Sequence, residues 1–172
     1  MLSNTSTMPS TPDALFQLGR ASLDKRRYHE ALDYLQRAID MQRLHDPHKD
    51  RMKHLSYLGL ALTLTRGRSP EGLEMCEQAT GREFYDPDMF CNLGIVYLRH
   101  RRKAEAFEAF EHGLLLKPDH PRILEEMVVF GLRRRPTLPF LPRSHPINKV
   151  TGRLRHRIST LIASASSRDS GE

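Results

Sequence analysis

Apolar and small residues recur in the same order three times along the first two thirds of the chain. Each occurrence contains a Leu-Gly pair, at Leu18-Gly19, Leu58-Gly59 and Leu93-Gly94, so that the pairs lie 40 and 35 residues apart. A repeat of this length is typical of helix hairpins that stack on their neighbours, because one hairpin alone cannot bury its apolar face. The pattern therefore predicts pairs of antiparallel helices.

The third unit shows why this order favours a helix pair. Small residues at Gly94 and Ala106 let two helices approach closely, and larger apolar residues fill the space between them. A proline after the second helix cannot continue the helical hydrogen-bond ladder and so ends the unit. The residues that carry the pattern are Phe90, Leu93, Gly94, Tyr97, Ala106, Phe107, Phe110, Gly113 and Pro118.

This order resembles the tetratricopeptide repeat. The first unit has the same pattern at Leu15, Leu18-Gly19, Ala31, Leu35 and Ala38, but has Arg43 where the closing proline is expected. In the second unit the turn before Pro70 is one residue longer, so that Gly72, Cys76 and Ala79 take the places of the usual Ala, Phe and Ala. The resemblance implies an all-α fold, in which antiparallel helix-hairpin repeats stack as a short right-handed α-solenoid.

The predicted boundaries follow from the repeats and from the composition around them. We expect a disordered N-terminus over residues 1–11 and a repeat domain over 12–134, followed by a proline-rich basic tail over 135–172. The last part of the domain is predicted to be a capping helix, which an array of repeats needs to cover its apolar end. The expected repeats span about 12–45, 52–85 and 87–120, and the capping helix spans 121–134.

In this family the first helix of each hairpin lines an inner groove that holds a peptide. The resemblance places the groove positions three before, one after, and four to five after the Gly of each Leu-Gly pair. These positions are mostly apolar, and the Lys, Asn and Arg clamp of the repeats that grip chaperone C-termini is not reproduced, since Phe16 and Arg20 stand at its first two positions. An apolar or amphipathic peptide suits such a groove, unless neighbouring helices bury some of its residues. The predicted groove residues are Phe16, Arg20, Leu23, Asp24, Ser56, Leu60, Thr63, Leu64, Cys91, Ile95, Leu98 and Arg99.

The net charge of +6 belongs to the C-terminal segment. Residues 1–126 contain 18 Lys and Arg against 19 Asp and Glu, whereas residues 127–168 contain nine Lys and Arg and no acid. Such an asymmetry indicates an attached function. The basic tail residues are Arg133, Arg134, Arg135, Arg143, Lys149, Arg153, Arg155 and Arg157.

The tail itself combines two patterns. Four prolines between 136 and 146 favour an extended path, which either packs back on the repeats or docks on another protein. Residues 148–164 then predict a basic amphipathic helix, which can lie on an anionic membrane, bind a partner helix or simply pack on the body. Nucleic acid is a poor candidate because no aromatic residue accompanies the basic cluster. Self-association by exchange of tails is a further prediction.

No arrangement of residues predicts chemistry. His45, His48 and His54 lie near two aspartates in what reads as a long inter-helix turn, but their spacing matches no zinc site. No phosphate-binding loop, nucleophile elbow or paired carboxylates are present, so we expect no metal, no cofactor and no enzymatic activity. The polar first fourteen residues and the two cysteines in helical patterns predict a cytoplasmic protein, with the tail able to hold it at the periphery of a membrane.

The sequence thus leads to two functional hypotheses of different classes. The first is a non-catalytic interaction module, an adaptor, scaffold or chaperone-like protein that binds a partner protein or peptide in the groove of the repeats. The number of repeats is also similar to that of bacterial secretion chaperones. The alternative is a factor associated with a membrane or with nucleic acid through the basic tail, for which the repeats are only a scaffold.

Overall fold

The computed structural model describes residues 11–45 and 51–131, and all regular structure in these residues is helical. The predicted all-α fold of helix hairpins is confirmed. The helices are α1 (Pro12–Asp24), α2 (Tyr28–His45), α3 (Met52–Arg66), α4 (Pro70–Arg82), α5 (Pro87–Arg99), α6 (Lys103–Leu116) and α7 (Pro121–Val129).

Local sequence signals explain where several helices begin. The helices α1, α4 and α5 each start with a proline, whose missing N–H group costs nothing in the first helical turn. In each case the side chain of the preceding residue accepts a hydrogen bond from a free backbone N–H: Thr11 from Ala14, Ser69 from Gly72 and Asp86 from Asp88. These caps satisfy backbone donors that the helix itself leaves unpaired.

The chain divides into two compact units, residues 1–116 and 117–172. In the first unit, α1 packs on α2, α3 on α4 and α5 on α6, and each hairpin contacts the next through α2 with α3 and α4 with α5. The first helices of the hairpins also touch one another, α1 with α3 and α3 with α5. Among the described residues no such contact joins α2 with α4 or α4 with α6, so α1, α3 and α5 form the inner layer of the stack.

Glycines allow the closest approaches within the hairpins. A Cβ atom on Gly94 would lie 2.4 Å from the Phe110 ring, which is fully buried. In the second hairpin two glycines face each other, since a Cβ on Gly59 would lie 2.5 Å from the carbonyl oxygen of Gly72. The Leu-Gly pairs therefore mark the points where the paired helices cross.

The second hairpin forms with Pro70 at the start of α4, as its sequence predicts, but the turn before Pro70 is not longer than the others. The turn is residues 67–69, and the extra length lies in α3, which continues to Arg66. Gly72, Cys76 and Ala79 are buried in the places of the usual Ala, Phe and Ala. Gly67, with φ at +84° and ψ at −132°, ends α3 in a conformation that glycine adopts without strain.

The described part of the second unit contains α7. This helix begins at Pro121 as predicted, but it ends at Val129 and not near Arg134. Gly131 takes a φ of +64° and donates its N–H to the carbonyl of Val128, which ends the helix early. Its role as a cap stays a prediction. None of the helices in the described ranges is both long and apolar enough to cross a bilayer.

Candidate functional site

The structure buries most of the residues predicted to line the groove. Arg20 and Leu64 are half-buried, while Asp24 and Arg99 are exposed. The basic tail residues from Arg133 to Arg157 lie outside the described residues. The buried members are Phe16, Leu23, Ser56, Leu60, Thr63, Cys91, Ile95 and Leu98, none of them more than 8% exposed.

Polar contacts among the buried residues join the second and third hairpins. The Asn92 side chain on α5 donates a hydrogen bond to the Ser56 hydroxyl on α3 at 3.2 Å. The Cys76 thiol on α4 donates to the Ser56 carbonyl at 3.3 Å, and burial raises the pKa of this thiol to about 12. Ser56 is thus a junction between helices, and the thiol of Cys76 stays protonated and unreactive.

An aromatic cluster joins the first two helices of the inner layer. The Phe16 ring on α1 stacks on His54 of α3 with centroids 4.2 Å apart, and meets the edge of Tyr57 at 5.2 Å. The Arg20 guanidinium lies over both rings, 5.9 Å from the centroid of Phe16 and 5.4 Å from that of Tyr57. A cation held over aromatic faces keeps its outer donors available, since the rings take none of its hydrogen bonds.

His54 is neutral in this environment. Burial, reinforced by the positive charge of Arg51, lowers the pKa of His54 to about 4, against the opposing attraction of Asp13. Asp13 forms an ion pair with Arg51 and approaches His54 Nε2 at 3.6 Å. His54 Nδ1 is buried and has no partner among the described atoms. The sequence placed His54 in a turn, and this was wrong: the residue lies in the first turn of α3, which begins at Met52.

Lys53 connects the second hairpin to the third. Its ammonium group lies 2.8 Å from Asp86 and 3.2 Å from Asp88. Burial alone would lower the pKa of Lys53, but hydrogen bonds and attraction from the two carboxylates outweigh this and raise it. The start of α3 is therefore tied by charge to the starts of α1 and α5.

Residues of α1 and of the start of α3, together with Glu83, surround an open cleft of about 400 Å³, which we call the inner cleft. Its lining combines the aromatic rings of Phe16 and His54 with several charged side chains. Its lining residues are Asp13, Phe16, Gln17, Arg20, Arg51, Met52, Lys53, His54 and Glu83.

Only Phe16 and Arg20 of this set were predicted from the sequence. A signal for Asp13 and Lys53 was available, because both stand six residues before the Gly of a Leu-Gly pair, as does Asp88, which pairs with Lys53. Charged residues at equal offsets in successive repeats face the same side. No cluster of three His, Cys, Asp or Glu side chains suited to a metal ion occurs in residues 11–45 or 51–131.

Comparison with known proteins agrees with this geometry. The sequence model of the tetratricopeptide repeat matches residues 12–43 and 87–120, which are the first and third hairpins. A comparison with curated protein sequences gives no significant match.

Solved structures of low sequence identity share the fold. YrrB, described as a tetratricopeptide protein with an unusual peptide-binding site, is 23% identical with a TM-score of 0.52, and the alignment covers 71% of this chain and 59% of that one. The first such domain of Spaghetti (RPAP3), bound to the HSP90 peptide SRMEEVD, is 16% identical with a TM-score of 0.53, covering 70% and 90%. PcrH in complex with the chaperone binding region of PopB is 12% identical with a TM-score of 0.51, covering 72% and 97%.

The matched hairpins, the second hairpin built on the same Leu-Gly crossing, and the shared fold lead to one conclusion: this chain is a tetratricopeptide-repeat protein.

Proposed function

We propose that this protein is a non-catalytic interaction module that binds an amphipathic peptide along α1, α3 and α5, with the inner cleft as its anchoring site. The observation that carries the proposal is the Arg20 guanidinium, which two aromatic rings hold at the side of an open cleft. No carboxylate pairs with Arg20 among the described residues, so its donors remain available to a ligand.

The charges of the cleft favour an amphipathic peptide over a purely apolar one. All the apolar groove residues except the half-buried Leu64 are buried, so they offer a partner little surface. The cleft instead presents Arg20, Gln17 and Glu83, beside the half-exposed Lys53. A peptide with an acidic residue near Arg20 would use this charge, whereas Phe16, itself only 4% exposed, adds little apolar surface to the contact.

The structural neighbours support this class of partner. RPAP3 is seen with a short acidic peptide, and PcrH with a segment of another protein. At identities of 16% and 12% these likenesses extend to the fold, so the peptide proposed for this chain rests on its own cleft.

Selection from a displayed library of random peptides on the full chain tests the proposal. The tightest peptide is then titrated by fluorescence polarisation against the wild type, Arg20→Glu and the matched control Arg43→Glu, which makes the same charge change on the exposed end of α2. We expect Arg20→Glu to weaken binding at least tenfold, since a charge-assisted hydrogen bond becomes a repulsion, and Arg43→Glu to change it little. Failure to select any peptide, or an equal loss in the control, would contradict the proposal.

The basic tail is the basis of a second candidate function. This function is supported by the charge asymmetry of the sequence. In that function the segment over residues 135–172 binds an anionic membrane or a partner helix. Deletion of residues 136–172 should then remove binding that is steeply dependent on salt, whereas peptide binding at the inner cleft should survive the deletion.

A further inference from the structure

Three short turns between the paired helices form one edge of the repeat unit, which we call the turn edge. The turns are residues 25–27, 67–69 and 100–102, and the turn edge also includes Arg66, the last residue of α3, and Lys103, the first residue of α6. An open cleft lined by Arg26, Tyr28 and Leu64 shows that the first turn adjoins the end of α3. The His100 ring lies 3.2 Å from the Ser69 carbonyl, so the third turn adjoins the second. The three turns therefore follow one another along a single edge.

The turn edge is strongly basic. It contains eight Lys and Arg residues and no acid. Three of the eight pair with nearby glutamates: Arg27 with Glu30, Arg66 with Glu71, and Arg102 with Glu105. The other five are exposed and have no carboxylate partner in the described part of the chain. They are Lys25, Arg26, Arg68, Arg101 and Lys103.

The backbone gives a second and independent reason to regard these cations as functional. Arg26 and Arg101 are the two described residues other than glycine with a positive φ, at +58° and +63°. They occupy equivalent positions, because each donates its N–H to a leucine carbonyl three residues earlier, Leu23 or Leu98. The middle turn has a different shape, because its residue with positive φ is Gly67, whose ψ is −132° and whose N–H bonds the carbonyl of Thr63, four residues earlier. At the positions of Arg26 and Arg101 a glycine would avoid the steric cost that a side chain brings to a positive φ.

Two of the three turns therefore retain an arginine where glycine would be less strained. Strain of this kind persists where the side chain has a use. Both guanidinium groups lie in water, so packing gives no reason for them.

The distribution of charge in the rest of the repeat unit also indicates that the cations of the turn edge are functional. The opposite edge, where α1 and α5 begin, carries Asp13, Glu83, Asp86 and Asp88, and its Arg51 and Lys53 are paired with these acids. With Arg82 next to Glu83 as well, the charges of the opposite edge nearly cancel, so the body's unpaired positive charge is concentrated at the turn edge. Such a concentration of charge orients the molecule in the field of a charged surface.

We propose that the turn edge is a docking surface for an anionic lipid bilayer. The five unpaired cations are exposed at successive turns of one edge, where an extended anionic surface can approach them together. No exposed aromatic side chain occurs in these turns, so they lack the aromatic stacking platform that single-stranded nucleic acid uses. No apolar residue of the turns is available to insert, so binding is electrostatic, reversible and sensitive to salt.

Co-sedimentation of the full chain with vesicles tests the proposal. The vesicles contain phosphatidylcholine with or without phosphatidylserine. The informative variant is Arg26→Gly with Arg101→Gly, because glycine relieves the strain while it removes two charges. Each Lys or Arg near an anionic surface contributes about fivefold in affinity, so we expect about 30-fold weaker binding to phosphatidylserine vesicles. The thermal stability of this variant should equal or exceed that of the wild type.

Two further variants keep the test decisive. Lys25→Gln with Lys103→Gln removes the same charge from the turn edge without a backbone change, and it should weaken binding to a similar extent. Arg37→Gln with Arg43→Gln removes the same charge from α2 and should bind like the wild type.

The proposal is overturned if the wild type ignores phosphatidylserine vesicles, or if the glycine pair binds them as tightly as the wild type does. An equal loss of binding in the α2 control would also contradict the proposal, because binding would then depend only on the net charge of the protein. If the turn-edge variants lose binding to duplex RNA but bind vesicles like the wild type, the turn edge would be assigned to nucleic acid instead.

Discussion

Substitution of Gly94 by alanine tests the crossing of α5 and α6, which the whole repeat pattern implies. The added Cβ would lie 2.4, 2.6 and 2.7 Å from three carbons of the Phe110 ring. These distances are about 1 Å shorter than a normal carbon contact. Since Phe110 is fully buried, the ring cannot turn out into solvent, so the helices must separate.

The magnitude follows from two opposing effects. Overpacking of a well-filled core costs about 3 kcal/mol at the upper end of its usual range. Alanine gains about 1 kcal/mol over glycine in a helix. The free energy of unfolding should therefore fall by about 2 kcal/mol, which lowers the melting temperature by about 4–8 °C in a chain of this length.

Gly81→Ala is the matched control. Nothing lies within 4 Å of a Cβ at Gly81, so this change on α4 keeps the helical gain without the clash and should raise stability by up to about 1 kcal/mol. Urea unfolding followed by circular dichroism measures both variants. A Gly94→Ala protein as stable as the wild type would refute the reasoning, as would a Phe110→Leu change that fails to relieve part of the loss.

Further predictions concern the other crossings, one histidine and the thiols. Gly59→Ala should destabilise more than Gly19→Ala, because its Cβ meets the Gly72 backbone while that of Gly19 meets the Leu35 side chain; urea unfolding ranks the two. With the pKa of His54 lowered to about 4 in the folded protein from its usual 6.5, the unfolded chain binds a proton that the folded one does not, so stability is full above pH 6.5 and falls as the pH drops towards 4. In His54→Phe this part of the fall should be missing from melting temperatures measured across the range. Cys76 and Cys91 are fully buried and should react with a thiol reagent only on unfolding; rapid labelling of the native protein would contradict their placement.

The hairpins were predictable because their cause is local. Close crossings require a residue without a side chain, and the Leu-Gly pairs supplied one at each crossing. The same reasoning located the start of α4 at Pro70 and the burial of Cys76, although it placed the extra length of this unit in the turn and not in α3. The predicted end of α7 near Arg134 was wrong, because the helix stops at Val129 and Gly131 takes a positive φ.

The inner cleft was less accessible to sequence reasoning because its contacts join distant residues. Asp13 pairs with Arg51, and Lys53 with Asp86, only after three hairpins have stacked. The groove positions were named on family resemblance, and their apolar residues other than the half-buried Leu64 prove to be buried, with no more than 8% exposed. Periodicity in the sequence identifies which residues share a helix face, but the residues that this face contacts are determined by how the hairpins pack on one another.

Photo-crosslinking tests most directly the claim that a peptide is bound at the inner cleft. A selected peptide that carries a benzoylphenylalanine is irradiated with the full chain, and the crosslinked residues are identified by mass spectrometry. The account predicts crosslinks to α1 and the start of α3, at Gln17, Arg20 and Lys53. Crosslinks confined to α2 and α4, or to α7, would contradict it.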